Sequence, residues 1–292
     1  MTDPLARLQA ELQRLPKLAV AVSGGVDSLT LAHVASGIVP DSHAIHAISP
    51  AVPPAATDRV RQQAKAHGWR LRLVDSGEFA DPHYRANPHN RCYFCKSNLY
   101  GTMRRVFNGP IAAGTNTDDL GEYRPGLIAA DVYDVLHPYV AADIAKDDIR
   151  AIARACGLDE IADLPAQPCL ASRVTTGIAI RRDDLDFIDM VETLVRADTP
   201  GMDIRCRITG TASCWRPAPR CPMPPWHPSP TCAAGRTGPS QAAAPMCAAV
   251  PSSFPGIERW SGTRSSTGPA RRGRASPRRS SLKANPCRIC MT

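Results

Sequence analysis

The sequence predicts an α/β fold, a parallel sheet covered by helices on both faces, followed by a smaller α+β unit that is incomplete. Three observations carry that prediction. Residues 18–22, Leu-Ala-Val-Ala-Val, read as an apolar strand running straight into Ser23-Gly24-Gly25 and then a helix that opens with Asp27 and Ser28. Further strand-like segments at 43–48, 71–74 and 111–113 alternate with helical stretches, the pattern of a parallel sheet. Two polar, glycine-bearing turns, SGGVDS and Gly114-Thr115-Asn116, stand at the carboxyl ends of such strands, where parallel sheets bind ligands.

Each element has a local cause. A helix is expected over 26–36 and a weaker one over 58–67, closed by Gly68. Over 146–156, Ile149, Ile152, Ala153 and Cys156 fall at i, i+3, i+4 and i+7, the spacing of a core-facing helix, and Gly157 ends it. Cys156 is therefore expected to be buried packing. After Pro165 the texture changes to a loop, a helix over 183–196 and a strand over 202–208. That strand places Met202, Ile204, Cys206 and Ile208 on one face and Arg205 and Arg207 on the other. Two arginines so placed suit a phosphate or carboxylate clamp, and equally a solvated edge.

The first turn, SGGVDS, has the chemistry of a pyrophosphate cradle. Gly24 and Gly25 have no Cβ, so the backbone can take unusual dihedrals and bring its N–H groups close to an anion. The helix that follows adds unpaired N–H groups and the positive end of its dipole. Ser23 and Ser28 supply hydroxyls, and Asp27 is suited to hold Mg2+ or to cap the helix. No lysine follows the glycines, so this is not the GxxxxGK[ST] loop. It resembles the PP-loop of ATP pyrophosphatases, which implies a Rossmann-like ATP-binding domain over 1–165 that cleaves ATP between its α and β phosphates.

Composition divides the chain at Gly210. The net charge of +8 belongs to the tail: residues 211–292 hold twelve Lys or Arg and one acid, Glu258, whereas residues 1–210 hold twenty-three against twenty-six. The tail also carries half of the 28 prolines, six of the eleven cysteines and three of the four tryptophans, without helical or strand periodicity. Linkers lack Trp and Cys, and folded domains lack this much proline. GC-rich DNA read in the wrong register yields this composition, so 211–292 is read as an out-of-frame segment; a disordered basic arm contacting RNA is the rival reading. No run of eighteen apolar residues exists, and the first residues do not form a signal peptide, which predicts a cytoplasmic protein without a membrane partner.

The cysteines of the ordered part suggest sulfur or metal chemistry. Asn90-Arg91-Cys92-Tyr93-Phe94-Cys95-Lys96 places two thiols one loop apart, with Arg91 and Lys96 beside them to favour thiolates. Cys169, in Pro-Cys-Leu-Ala-Ser-Arg, has no amphipathic helix to bury it, and Ser172 and Arg173 follow as potential activators. Three thiolates on a [4Fe-4S] cluster leave one iron free for an exchangeable sulfide. A zinc knuckle completed by His83, His89 or His137, a Cys92–Cys95 disulfide, and three inert thiols are the alternatives. Cys287 and Cys290 look like a second half-site within the tail.

SGGVDS, NRCYFCK, GTNTDDLGEYRPG and PCLASR, in this order and followed by Arg205-Cys206-Arg207, resemble the LarE family of ATP-dependent sulfur transferases over roughly residues 1–210. The resemblance implies sulfur transfer to pyridinium-3,5-biscarboxylic acid mononucleotide in making the nickel-pincer nucleotide cofactor. Ser23, Gly24, Gly25, Asp27 and Ser28 would then bind ATP with Mg2+, and Gly114, Asn116 and Asp118 would line the facing strand end. The substrate carboxylate would form an acyl adenylate, with Arg205, Arg207, Ser172 and Arg173 binding substrate. Cys169 would be the catalytic residue. In single-cysteine members the matching residue gives up its own sulfur; the additional Cys92 and Cys95 resemble the type in which three cysteines hold a [4Fe-4S] cluster. The expected partners are this small nucleotide substrate and further copies of the chain, with no nucleic acid. The family continues after the arginine pair with an ARIE-type strand and metal-holding acids, and here the sequence is TASCWRPAPRC. A tRNA thiolase, and a nucleotide-binding protein without turnover, are the competing readings.

Overall fold

The computed structural model describes residues 3–121, 123–199 and 202–210, together with the backbone of Arg288–Met291. The out-of-frame reading of the tail lies outside the described residues. So does the Cys287 and Cys290 half-site, since of Cys290 only the backbone is described.

The Asp3 carboxylate caps α1 (Pro4–Leu12) by accepting from Leu5 N. Next come β1 (Lys17–Ala21), α2 (Val26–Ile38), β2 (Asp41–Ile48), α3 (Pro54–His67) and β3 (Leu71–Asp75). The chain then crosses the sheet through α4 (Pro82–Arg85) and α5 (Arg91–Val106) to β4 (Ile111–Ala113), and continues with α6 (Pro125–Val132) and β5 (Val135–Leu136). After these come α7 (Pro138–Ala141), α8 (Lys146–Ala155), α9 (Asp159–Ala162), α10 (Arg182–Asp198) and β6 (Cys206–Thr209), with β7 (Arg288–Met291) antiparallel to β6.

The sheet is five-stranded and parallel throughout, in the order β3-β2-β1-β4-β5. Because β2 and β3 build outward on one side of β1, and β4 and β5 on the other, the topological switch falls between β1 and β4. Ligands of open α/β sheets bind at the carboxyl ends there. SGGVDS follows β1 and Gly114-Thr115-Asn116 follows β4, so the crossover that the sequence could not show brings the two turns side by side.

Strand periodicity divides β1 between two cores. Leu18 and Val20 pack with Leu8, Leu29, Val60, Ile149 and Ile152 on one face, while Ala19 and Ala21 pack with Ile45, Tyr100, Met103 and Ala129 on the other. A third cluster joins Ala51 and Tyr84 to Leu170, Val174, Leu185, Ile188, Cys206 and Ile208. It seats the Cys169 segment on the edge of the sheet domain.

Three expectations are corrected. The helix expected from 58 begins at Pro54, because a proline at the first helical position is already preset in φ. The strand expected over 202–208 pairs only from Cys206, although the alternation holds: Ile204, Cys206 and Ile208 are buried and Arg207 is exposed. Cys156 caps the end of α8, half-buried at the rim of the core rather than inside it. Gly157 follows with φ +71°, as a helix stop should.

Candidate functional site

The glycine loop is held in an open, donor-rich shape. Gly24 sits at φ +90°, and a Cβ there would lie 2.9 Å from the Ala56 carbonyl oxygen. Gly25 is the N-cap of α2 and offers no side chain, so no side chain occupies the first N–H groups of that helix. Ser28 Oγ donates to Gly25 O (3.1 Å) and accepts from Ser23 N (3.0 Å), and it lies 3.1 Å from Ser23 Oγ. The two serines therefore brace the cradle as well as presenting hydroxyls to it. Gly114 is forced by the same close approach: a Cβ on it would fall 3.0 Å from Ser28 N. Asn116 is buried, and its Oδ1 accepts from Asp118 N.

Two residues of this site escaped the sequence reading. Lys146 donates from Nζ to both oxygens of Asp27 (2.7 Å each), and its own N–H goes to Asp118 Oδ2 (2.9 Å). Tyr139, fully buried, donates from its hydroxyl to Asp27 O (2.9 Å). Lys146 opens α8, which the sequence presents only as an apolar stripe; the signal was a lysine at a helix start already rich in acids, Asp147 and Asp148, where the dipole disfavours a cation.

His46 lies beneath the loop, 1% exposed. Its Nδ1 is 2.8 Å from Val22 O and its Nε2 is 2.9 Å from Thr57 Oγ1, an arrangement satisfied by the neutral ring. Burial lowers its pKa, opposed by the Val22 bond and aided by Arg61. The unfolded chain takes up a proton near pH 6.5 that the folded chain refuses, so this contribution to stability is whole above about 6.5 and is lost as pH falls below it. His33 and His137, also lowered by burial, act in the same direction. The thermal midpoint is expected to fall between pH 7.5 and 5.5, and His46→Asn to flatten that slope; equal slopes in the two proteins would contradict the assignment.

The cysteine region corrects one expectation. Cys92 and Cys95 lie not on a loop but in the first turns of α5, where residues three apart share a face. Asn87 makes this turn possible: at φ +52° and fully buried, it donates from Nδ2 to the carbonyls of Thr175 and Ile178 (2.9 Å each). Arg91 donates to Asn87 Oδ1 (2.7 Å) and to Ala171 O (2.9 Å), tying the start of α5 to the Cys169 loop. Cys92 and Cys169 are exposed and Cys95 is half-buried.

The three sulfurs share one electrostatic neighbourhood. Burial pushes the Cys95 thiol up to about 12, with Cys169 the next contributor and Cys92 a smaller one. The Lys96 pKa is raised by Tyr100 foremost and by all three thiols. Its ammonium also stands 5.7 Å from the Tyr100 ring centroid. Among the described residues no three His, Cys, Asp or Glu side chains gather closely enough to hold one metal ion. Of the three histidines offered for a zinc knuckle, His83 stacks on Phe94 and His89 on Tyr123, and neither ring nitrogen of the half-buried His137 has a hydrogen-bond partner.

Cys169 begins a short 3-10 turn (Leu170–Arg173) whose carbonyls are gripped by arginines. Arg173 is 2% exposed. It forms a two-pronged ion pair with Glu192 (2.9 and 3.1 Å) and donates to Pro168 O and Cys169 O. Ser172 Oγ donates to Cys169 O. Glu192 also takes Arg196 and the Cys206 N–H; burial pushes its pKa up, and Arg173 foremost, with the Cys206 N–H and Arg196, brings it below the ordinary carboxylate value. Arg205, paired with Asp203, reaches Ala166 O, and Arg207 reaches Ser172 O. The residues expected to bind substrate thus hold the loop that presents Cys169, and Arg173 has its donors engaged within the protein.

An uncharacterized protein of Synechocystis, slr1717, is 38% identical over 202 residues, covering 67% of this chain and 75% of the relative. The chain belongs to the slr1717 family. A second relative, the uncharacterized MJ0830 of Methanocaldococcus jannaschii, is 28% identical over 184 residues, covering 62% of this chain and 69% of the relative. A third is the pyridinium-3,5-bisthiocarboxylic acid mononucleotide synthase of Lactiplantibacillus plantarum, 26% identical over 198 residues, covering 66% and 71%. No family model matches the chain. Each matched length is close to the 210 residues that precede the change in composition. Among the described residues of this slr1717-family chain, no helix is long and apolar enough to cross a membrane.

Proposed function

We propose that this protein is an ATP-dependent sulfur transferase of the LarE type, converting carboxylates of pyridinium-3,5-biscarboxylic acid mononucleotide into thiocarboxylates. The observation that carries the reading is the convergence of the uncapped glycine loop with the Gly114 strand end at one switch point; the bond from Arg91, which opens the helix of Cys92 and Cys95, to Ala171 O in the Cys169 loop supports it. The synthase among its relatives supports the substrate class.

In this reading the N–H groups at the start of α2 receive the departing pyrophosphate, and Ser23 and Ser28 keep them aimed. Asp27 is the group that would hold Mg2+, whose charge would offset that of the triphosphate. Lys146, joined to both Asp27 oxygens, is the second cation at that place. The substrate carboxylate attacks the α-phosphorus, pyrophosphate leaves, and the acyl adenylate turns AMP into the leaving group for sulfur attack. Lys146→Ala is expected to slow pyrophosphate release by about 10- to 100-fold while the fold persists; unchanged release would remove Lys146 from the reaction.

The three thiols are carried on two segments that the fold fastens together: Cys92 and Cys95 share a face at the start of α5, and Arg91 ties that start to Ala171 O, two residues after Cys169. Cys92, Cys95 and Cys169 would hold a [4Fe-4S] cluster, which would supply a replaceable sulfide. Lys96 lies beside the thiols to offset thiolate charge, and Arg91 and Arg173 fix the loop that carries Cys169.

Pyrophosphate release from ATP, measured in parallel with the pyridinium mononucleotide, with tRNA and with neither, tests the function. Stimulation by the mononucleotide with thiocarboxylate formation supports it. Stimulation by tRNA would make the protein a tRNA thiolase; ATP binding without release would make it a nucleotide-binding protein without turnover. Anaerobic reconstitution with iron and sulfide tests the cluster, and a colourless product, or a colour unaffected by Cys169→Ala, would exclude it. Sequencing the coding DNA tests the tail: an alternative frame after codon 210 should encode an acid-containing, strand-forming segment.

A further inference from the structure

One side chain touches both halves of the proposed reaction. Arg59, on α3, donates from Nη1 to the carbonyl of Gly24 (2.7 Å), in the nucleotide loop, and from the same nitrogen to Gln167 Oε1 (3.2 Å), two residues before Cys169. Nothing in the sequence motifs marks it, because it lies in neither loop and on a weakly amphipathic helix.

The setting gives the contact a direction. Arg59 is half-buried and no carboxylate partners it among the described residues, and burial lowers its pKa. A cation partly removed from water without an anion is electrostatically unsatisfied. The anion nearest in the proposed chemistry is the phosphate chain cradled at Gly24 and Gly25. Helix α3 is also in contact with the loop at Ala56, whose carbonyl leaves no room for a Cβ on Gly24. A change in how Gly24 is held is therefore passed to a rigid helix rather than absorbed.

The far end of the link is poised to respond. The segment 165–169 is exposed, and its neighbours anchor it through carbonyls: Ala166 O on Arg205, Pro168 O on Arg173. Leu170 N donates to Ala51 O (2.9 Å), just before α3. Gln167 is the member of this segment that reaches toward the nucleotide loop by its side chain, and Arg59 is what it reaches.

We propose that Arg59 is a positioning residue that couples nucleotide occupancy of the glycine loop to the placement of Cys169. With phosphate in the loop, the guanidinium shifts its share of interaction between Gly24 and Gln167, so that the sulfur-bearing loop adopts its working position only when ATP is present. This rests on the reading of 23–28 as an ATP site and of Cys169 as the sulfur-bearing residue. The physical gain is order: the exposed Cys169 loop, with the sulfur it carries, takes its working position only when there is an activated carboxylate for that sulfur to meet.

The test is the alkylation rate of Cys169 in the full chain, followed peptide by peptide by mass spectrometry, with and without Mg2+ and a non-hydrolysable ATP analogue. Analogue binding is measured separately by equilibrium dialysis. In the parent protein the analogue is expected to change the Cys169 rate by at least about threefold, a coupling within the usual range. Arg59→Gln and Gln167→Ala are each expected to reduce that change to less than about 1.5-fold, and the double variant to do no more than either, as members of one link should. Arg59→Lys, which keeps a donor and the charge, is expected to restore part of it.

Analogue binding that leaves Cys169 unchanged in the parent overturns the coupling and leaves the nucleotide reading standing. So does a full response in Gln167→Ala, which would make Arg59 a brace of the glycine loop alone. Absence of analogue binding in the parent overturns the nucleotide reading and the coupling with it.

Discussion

Cys169→Ala is expected to abolish sulfur transfer while pyrophosphate release from ATP continues within about threefold of the parent rate. The scaffold predicts this split. Cys169 is exposed, and the contacts that hold its loop run through backbone carbonyls to Arg173, Arg91 and Ser172. Removing Sγ therefore leaves the loop in place. The groups that would activate the carboxylate lie in the other turn, around Asp27, Ser28 and Lys146. Pyrophosphate and thiocarboxylate measured in the same samples decide the matter. Surviving thiocarboxylate would show that sulfur transfer does not need Cys169, and loss of both products would make Cys169 part of the ATP site.

Gly24→Ala is expected to weaken ATP binding by at least about tenfold, a loss of about 1.4 kcal/mol. Two costs combine. At φ +90° an L-residue with a Cβ is strained by about 1–2 kcal/mol. The new methyl would also stand 2.9 Å from the Ala56 carbonyl, so α3 or the loop must move. Since the loop's N–H groups bind only if they converge, the movement is read directly as affinity. Gly37→Ala is the control: inside α2, with nothing within 4 Å of the added methyl, it is expected to leave ATP binding unchanged and to stabilise the helix slightly, by up to about 1 kcal/mol. Equilibrium dialysis with ATP, and thermal midpoints for both variants, check the pair. Equal affinities for the two variants would mean that the loop does not bind the triphosphate.

Residue by residue, legibility followed the range of the interaction. The strand at β1, the Gly-Gly turn and the stripe of Ile149, Ile152 and Ala153 could be read because each is a pattern of neighbours along the chain. The helix that carries Cys92 and Cys95 was missed because its start depends on Asn87 holding a positive φ, and that depends on carbonyls 88 and 91 residues away. Lys146 could not be assigned to the site since its partner, Asp27, is 119 residues distant. Arg173 looked free in sequence; Glu192, on the facing helix, takes it out of solvent.

The amino-acid order by itself determined the chemistry on offer: a glycine loop with hydroxyls and a carboxylate, three thiols, a cluster of arginines, and a break in texture after Gly210. Those are properties of side-chain type and of spacing within a turn or two, and no folding is needed to state them. What only the tertiary structure decided is which of these groups meet. The crossover to β4 set Gly114 against Ser28, Arg91 and Asn87 fastened the thiols of α5 to the loop of Cys169, and Arg59 bridged that loop to Gly24. Such meetings join residues about 30 to 120 positions apart, and they arise from packing faces against a common sheet, which no local pattern records.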